Sequence, residues 1–433
     1  MTAEPGSAPA HVALGYALAE QRRYHEAEEV LARAAALDPR DPDAHYLLGN
    51  ACQGQQRPAE AERHYRAALA LRADFVEARH GLGVALRVQG RLDDALACFE
   101  AALAQRPGYP ESRLNQALIL LLRGDLLRGF PLFESRLEAP GDAQTASWLA
   151  LLAARPRIAR WRGEDLAGRK LLVWTEEGAG DCLMMLRYFR KLAEKGAGAI
   201  HVLADPSLAG LIRNLPPVAQ VATSVEQISW RSLEAHCPIM SLPLAFGTRI
   251  GNIPSEVPYL EVPRPLQERW RTRLDALKGL KVGVVWAGSR KFGRDFLRSL
   301  TAPQLAPVLE VPGASFVSLQ KEAAPDERAQ LKGRAADWMD ECLDFLDTAS
   351  LAAQLDLVIS VDTSVAHLAG ALGRPVWLLN RHESEWRWGV GREDSDWYPT
   401  MRIFTQPAPG DWASVVRHVA QALAALAHGA APP

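Results

Sequence analysis

The chain has 433 residues, 48% hydrophobic and 23% charged, with 49 Lys and Arg against 51 Asp and Glu and a formal charge of -2. That length suits about three domains, and the charge balance excludes a strongly basic nucleic-acid binder and an acidic disordered tail. No apolar run approaches the roughly 18 residues that span a bilayer, the first residues carry no basic or apolar leader, and the five cysteines are scattered without a Cys-x-x-Cys pair. The expectation is a reducing, cytoplasmic setting with no membrane span, disulfide scaffold or zinc knuckle.

The first 140 residues differ in composition from the rest. They hold none of the 12 tryptophans and no lysine, and are rich in Ala, Leu, Arg and Glu, which favours helix. A repeat of 34 residues runs through them: Gly15, Gly49 and Gly83, then Ala117; Ala27, Ala61 and Ala95, then Gly129; Leu31, Tyr65, Phe99 and Phe133; Ala34, Ala68 and Ala102. Pro39 and Pro107 close two of the units, and a fourth, about Pro110 to Arg136, is degenerate. Small residues at fixed slots let paired helices approach closely, and a large residue four positions after the second small slot fills the gap between neighbours. The period and pattern resemble the tetratricopeptide repeat, a helix-turn-helix unit. A helical solenoid over 1–140 follows, serving as a spacer or as a concave surface for a polypeptide.

From Lys170 the period changes to short apolar runs alternating with helical stretches, the mark of parallel βαβ units. A first lobe (160–262) has strands at Lys170–Trp174 and Ala199–Leu203 and helices at Asp181–Lys195 and Ser207–Asn214. The Pro-rich stretch Ile253–Pro265 reads as a linker. A second lobe (263–428) has strands at Lys281–Ala287, Ser315–Gln320, Leu355–Ser360 and Pro375–Leu379, and a closing helix at Trp412–Leu426. Ligands of such sheets bind at the strand C-termini, so the cleft between the lobes is the expected site.

Four segments could carry chemistry there. In Thr175–Asp181, Gly178 and Gly180 permit a tight turn, and Asp181 serves either as the helix cap or as a general base. Glu177 is a further candidate, while Glu176 reads as part of a solvated loop. In Ser360–Leu372, Asp362 caps a helix whose first turn offers N–H groups and the Thr363 and Ser364 hydroxyls to an anion, with His367 one turn in. In Gly288–Ser299, Arg290, Lys291, Arg294 and Arg298 could meet a diphosphate without a metal, and Lys321 is a weaker candidate of the same kind. In Glu385–Tyr398, Trp386, Trp388, Trp397 and Tyr398 read as packing, and Arg387 could reach a phosphate or carboxylate. There is no P-loop, zincin or nucleophile-elbow motif.

The order GAGD, KVGVVWAGS, RDFLRSL, SLQKE, DFLDTA, DLVISVDTSVAHLAGALGRPVWLL, WRW and DSDWYPTMR resembles bacterial tetratricopeptide-repeat glycosyltransferases whose C-terminal part is similar to the ADP-heptose:lipopolysaccharide heptosyltransferases. That resemblance implies an α plus α/β chain, with the repeat solenoid followed by two Rossmann-like lobes of GT-B architecture. It implies an inverting, metal-independent glycosyltransferase with no cofactor and a nucleotide-diphosphate sugar as co-substrate. By the same resemblance Asp181 is the acceptor base, Thr363, Ser364 and His367 bind the donor diphosphate, and Lys291, Arg294 and Arg298 form the basic loop. Departures are Glu177 where relatives have Gln, Ser364 where they have Gly, RDFLRS in the basic loop, and Asp396 where they tend to have Pro. The expected partners are a nucleotide sugar and a protein or peptide acceptor on the repeats, and no nucleic acid. The alternatives are a non-catalytic adaptor with a degenerate nucleotide-binding module, or a transferase using a saccharide or lipid-linked acceptor.

Overall fold

The computed structural model describes residues 7–139, 141, 143–289 and 295–429, and the chain divides into two units, Met1–Ala143 and Gln144–Pro433. The first unit is a series of antiparallel helix pairs: α1 (Ala8–Glu20) with α2 (Tyr24–Leu37), α3 (Pro42–Gly54) with α4 (Pro58–Leu71), α5 (Val76–Val88) with α6 (Leu92–Gln105), and α7 (Pro110–Leu122) with α8 (Leu126–Phe133). The 34-residue spacing is a packing rule. A Cβ at Gly15, Gly49 or Gly83 would come within 2.4, 2.6 and 2.6 Å of the Leu31, Tyr65 and Phe99 side chains, so the large residue of each second helix lies directly on the glycine of its first. The alanines at 27, 34, 61, 68, 95 and 102 are fully buried where the helices close.

A polar ladder joins successive pairs. Glu28 accepts from Gln55 Nε2 at 2.6 Å and from Arg57 at 2.7 Å, and one period later Glu62 accepts from Gln89 Nε2 and Arg91, both at 2.8 Å. Glu62 is only 5% exposed, so its partners answer a desolvated charge. Phe99 is fully buried against Gly83, and Phe99→Ala should destabilise the repeat unit by about 3–5 kcal/mol, read as a lower urea midpoint of the far-UV circular dichroism transition.

The second unit begins with α9 (Ala143–Ala153) and then forms two parallel sheets. The first lobe holds β1 (Ala159–Arg160), β2 (Lys170–Trp174), α10 (Ala179–Met185), α11 (Phe189–Glu194), β3 (Ala199–Leu203), α12 (Pro206–Ile212), β4 (Val218–Ala222), β5 (Ala235–Pro238) and α13 (Leu242–Ala245), with strand order β4-β3-β2-β5-β1. The sequence reading has one helix over Asp181–Lys195. The structure breaks it with a 3-10 turn at Leu186–Tyr188, where the Arg187 side chain folds inward and takes the Met184 carbonyl at 2.8 Å.

The second lobe holds α14 (Arg264–Asp275), β6 (Leu280–Val285), α15 (Ala302–Leu309), β7 (Ala314–Ser318), α16 (Pro325–Leu331), β8 (Ala335–Asp337), α17 (Phe345–Ala352), β9 (Leu357–Val361), α18 (Ser364–Ala371), β10 (Val376–Asn380), β11 (Met401–Thr405) and α19 (Trp412–Ala427). Its order is β8-β7-β6-β9-β10-β11, the doubly wound arrangement. Helices cover both faces, so β9 and β10 are buried at every residue and read as unbroken apolar runs. The order reverses between β2 and β5 in one sheet and between β6 and β9 in the other, and loops diverging at such points open a crevice at the strand C-termini. Among the described residues no helix is long and apolar enough to cross a membrane.

Candidate functional site at the two switch points

The helices that follow the two central strands, α10 after β2 and α18 after β9, pack against each other across the lobes. The contact is tight because of Gly180: a Cβ there would lie 2.7 Å from His367 Cδ2 and 3.3 Å from the Ser364 Cα. The glycine of the GAGD run therefore serves close interlobe approach. The cap of α10 is Gly178, and Asp181 sits three residues into the helix, its Oδ2 accepting from the Gly178 N–H at 3.3 Å. The cap reading of Asp181 is thus corrected in position, since extended backbone at Gly178 starts the helix. The other carboxylate oxygen of Asp181 is ion-paired with Arg387 from the opposite lobe, the two side chains being 16% and 14% exposed. Burial draws the Arg387 guanidinium down to about 10, so it stays charged at neutral pH, and the Glu177 carboxylate helps to hold that charge.

Behind this pair lies a network absent from the sequence reading. Arg387 Nη1 is 3.7 Å from Glu385, and Glu385 is also ion-paired with Arg381. Arg187, 3% exposed, donates to the carbonyls of Met184, Pro254 and Trp397 and to the Tyr259 hydroxyl. One side chain of the first lobe thereby ties its own helix to the linker and to the second lobe. The cue was an arginine inside an otherwise apolar helix run, which spacing alone does not separate from a surface residue.

His367 is 3% exposed, stacked on Trp388 with centroids 5.0 Å apart, and its Nδ1 is 3.0 Å from the Tyr398 hydroxyl. The Tyr259 hydroxyl, 3.3 Å from that of Tyr398, donates to the Leu183 carbonyl at 3.1 Å, and the Nε2 edge of His367 faces Gly180. Burial pushes His367 down to about 3, so it is a neutral ring. Trp386, Trp388, Trp397 and Tyr398 are all buried, as packing requires.

A cavity of about 260 Å³ opens beside this seam. Its walls include Gly288, Ser289 and Lys321 from the strand ends of the second lobe, Thr363 and Ser364 at the start of α18, and Ser207 from the first lobe. Thr363 is the cap residue of α18, with its hydroxyl 3.1 Å from Ser360 Oγ. Asp362, expected as the cap, is instead the last buried residue before it, and burial pushes its carboxyl up to about 6. His367 does not line the cavity.

Lys291 and Arg294 lie outside the described residues, as does Arg290. Arg298 donates to Asp295 at 2.9 Å and to the Asp362 carbonyl at 3.0 Å, tying the turn at Asp295–Leu297 to the residue after β9. Lys321 donates to the Met339 carbonyl at 3.0 Å and to that of Cys342, so it closes the cavity wall. Glu177 is exposed and holds a left-handed φ of 60°. Glu176, read as a solvated loop residue, is buried and accepts from the Met240 N–H at 3.3 Å, because β5, which the sequence reading does not contain, runs beside β2.

Two outcomes follow. Arg187→Met should lower stability by about 3 kcal/mol or more in chemical denaturation, since the carbonyls it serves lose a desolvated donor. His236, whose Nδ1 accepts from Trp174 Nε1, is pushed down by burial to about 4, as His367 is to about 3. Unfolded histidines take up protons below about 6.5 while these do not, so stability should fall as pH drops from about 6.5 toward 4. Asp362 acts in the opposite sense, holding its proton up to about 6. Melting temperatures from pH 7 to 5 should therefore fall less steeply in His367→Gln than in the parent chain.

Residues 12–75, 53–110 and 80–144 match the tetratricopeptide repeat family, and residues 342–394 match glycosyltransferase family 9 (heptosyltransferase). The second match runs from the approach to α17 through β9, α18 and β10, taking in Asp362, Thr363, Ser364, His367 and Arg387. The chain is 30% identical over 309 residues, 65% of its length, to Protein FlbA of Caulobacter vibrioides, and it spans about half (51%) of that relative. Among solved structures it is similar to crystalline MamA, with 22% identity and a TM-score of 0.30 over 34% of this chain and 84% of that one. It is also similar to the second TPR domain of human RPAP3, solved with an HSP70 peptide, with 24% identity and a TM-score of 0.25 over 25% of this chain and 92% of that one. The chain thus joins tetratricopeptide repeats to an α/β region in which the segment across the switch point of the second sheet is similar to glycosyltransferase family 9.

Proposed function

We propose that the chain is an inverting glycosyltransferase that moves a sugar from a nucleoside-diphosphate donor to a polypeptide side chain held by the repeats, without a metal. The observation carrying this is the meeting of the two switch points, where Gly180, next to Asp181, lies against Ser364, which together with Thr363 lines the cavity. The nucleoside occupies the cavity wall formed by the strand ends of the second lobe. The leaving diphosphate is met by the N–H groups and hydroxyls at the start of α18, where the helix dipole favours negative charge. The acceptor attacks the anomeric carbon from the face opposite the diphosphate; the carbon–oxygen bond to phosphate breaks with its electron pair leaving on the nucleotide, and the acceptor proton passes to Asp181. His367, neutral and fixed by Tyr398, positions α18 against α10.

One observation favours the adaptor reading as a second: Asp181 is engaged by Arg387 and so is not open to an acceptor in this arrangement. Both readings are separated by ligand-induced stabilisation. ADP, GDP, UDP and dTDP, and the corresponding nucleotide sugars, should include one that raises the melting temperature, since a ligand at ~100 times its Kd adds about 2.7 kcal/mol. With that donor, Asp181→Asn should lower kcat for transfer by about 10²–10⁴-fold. An unchanged kcat would remove Asp181 as the base, and a chain stabilised by none of these nucleotides would be an adaptor.

A further inference from the structure

Arg387 is in the second lobe, yet it is spent on a carboxylate of the first. The pair is nearly buried, so neither charge can be released into water cheaply. Arg387 nonetheless has somewhere to go. Glu385 Oε2 stands 3.7 Å from its Nη1, and the guanidinium lies over the Trp386 ring at 4.7 Å, a surface along which it can turn while staying stacked. Ser364, which starts α18 and lines the cavity, meets α10 at Gly180, the residue next to Asp181. Asp181 and Arg387 do not themselves line the cavity, but the pair starts one residue from that contact, so a dianionic group at the helix start would draw on the guanidinium, whose fork suits two phosphate oxygens.

We propose that Arg387 is an exchangeable partner, bound to Asp181 in this arrangement and transferred to the diphosphate when a nucleotide occupies the cavity, so that Asp181 becomes available to an acceptor only with the donor in place. This rests on the donor site proposed above and adds to it a donor-binding role for Arg387. The exchange makes the Asp181 carboxylate a competitor of the diphosphate. Removing the proposed base should then strengthen nucleotide binding, which a residue concerned only with the acceptor would not do.

The test is calorimetric titration of the full chain with ADP, GDP, UDP and dTDP. For the nucleoside diphosphate that binds, Asp181→Asn should tighten Kd by about tenfold, the equivalent of one competing charged hydrogen bond. The double variant Asp181→Asn with Arg387→Gln, a neutral pair of similar shape that leaves no charge stranded, should bind at least about tenfold more weakly than the parent. Arg387→Lys should recover part of that loss. Equal affinity of parent and Asp181→Asn, or of parent and double variant, would overturn the exchange while leaving the donor site standing. Absence of binding by all four nucleotides would overturn the donor site and the exchange together.

Discussion

The close approach of α10 and α18 is the constraint on which the second unit's site depends. Two helices that each follow a central strand meet start against start, with no side chain between them at Gly180. Everything around the seam is answerable to that distance. His367 must be neutral and stacked on Trp388 to fit, its Nδ1 must share a hydrogen bond with the Tyr398 hydroxyl, and Arg187 must fill the corner behind. The Asp181–Arg387 pair then closes the rim. A charged imidazole or a side chain at residue 180 would push the lobes apart, and the convergence of the two switch points would be lost.

The repeat unit solves a different problem with the same means. Glycine against a large side chain sets the distance within each of the first three helix pairs, while a glutamate, half-buried at Glu28 and buried at Glu62, answered by the next pair's glutamine and arginine sets the register between pairs. Apolar packing alone would tolerate sliding of one pair over the next. A desolvated carboxylate does not, because a slip leaves it without donors.

The repeats were legible in the sequence because one residue slot is read four times in a fixed register, and the parallel sheets because strands buried on both faces are unbroken apolar runs. The short strands β1, β5 and β8 are too brief to show a period, and with β5 unseen the surroundings of Glu176 were misread. The candidate site was legible as motifs but not as partnerships. GAGD and DTSVAH are contiguous in the chain, whereas the bonds from Asp181 to Arg387 and from Arg187 to Trp397 each link residues about two hundred positions apart. Lys321 and Arg298 looked like free cations from composition; their carbonyl partners belong to loops whose placement only the fold determines.

The carbonyls gathered around Arg187 have a mechanical consequence. Three segments are fastened to one buried cation at that corner, so separating the lobes there would strand a charge in an apolar setting. At another contact between the lobes α12 meets the start of α17 with much less at stake: Gly210 lies against Asp344 and Leu346, and no ion pair joins the two helices among the described residues. The lobes are therefore held by a buried charge at one contact and by packing at the other. Of the two contacts, the one at Arg187 is much the costlier to part.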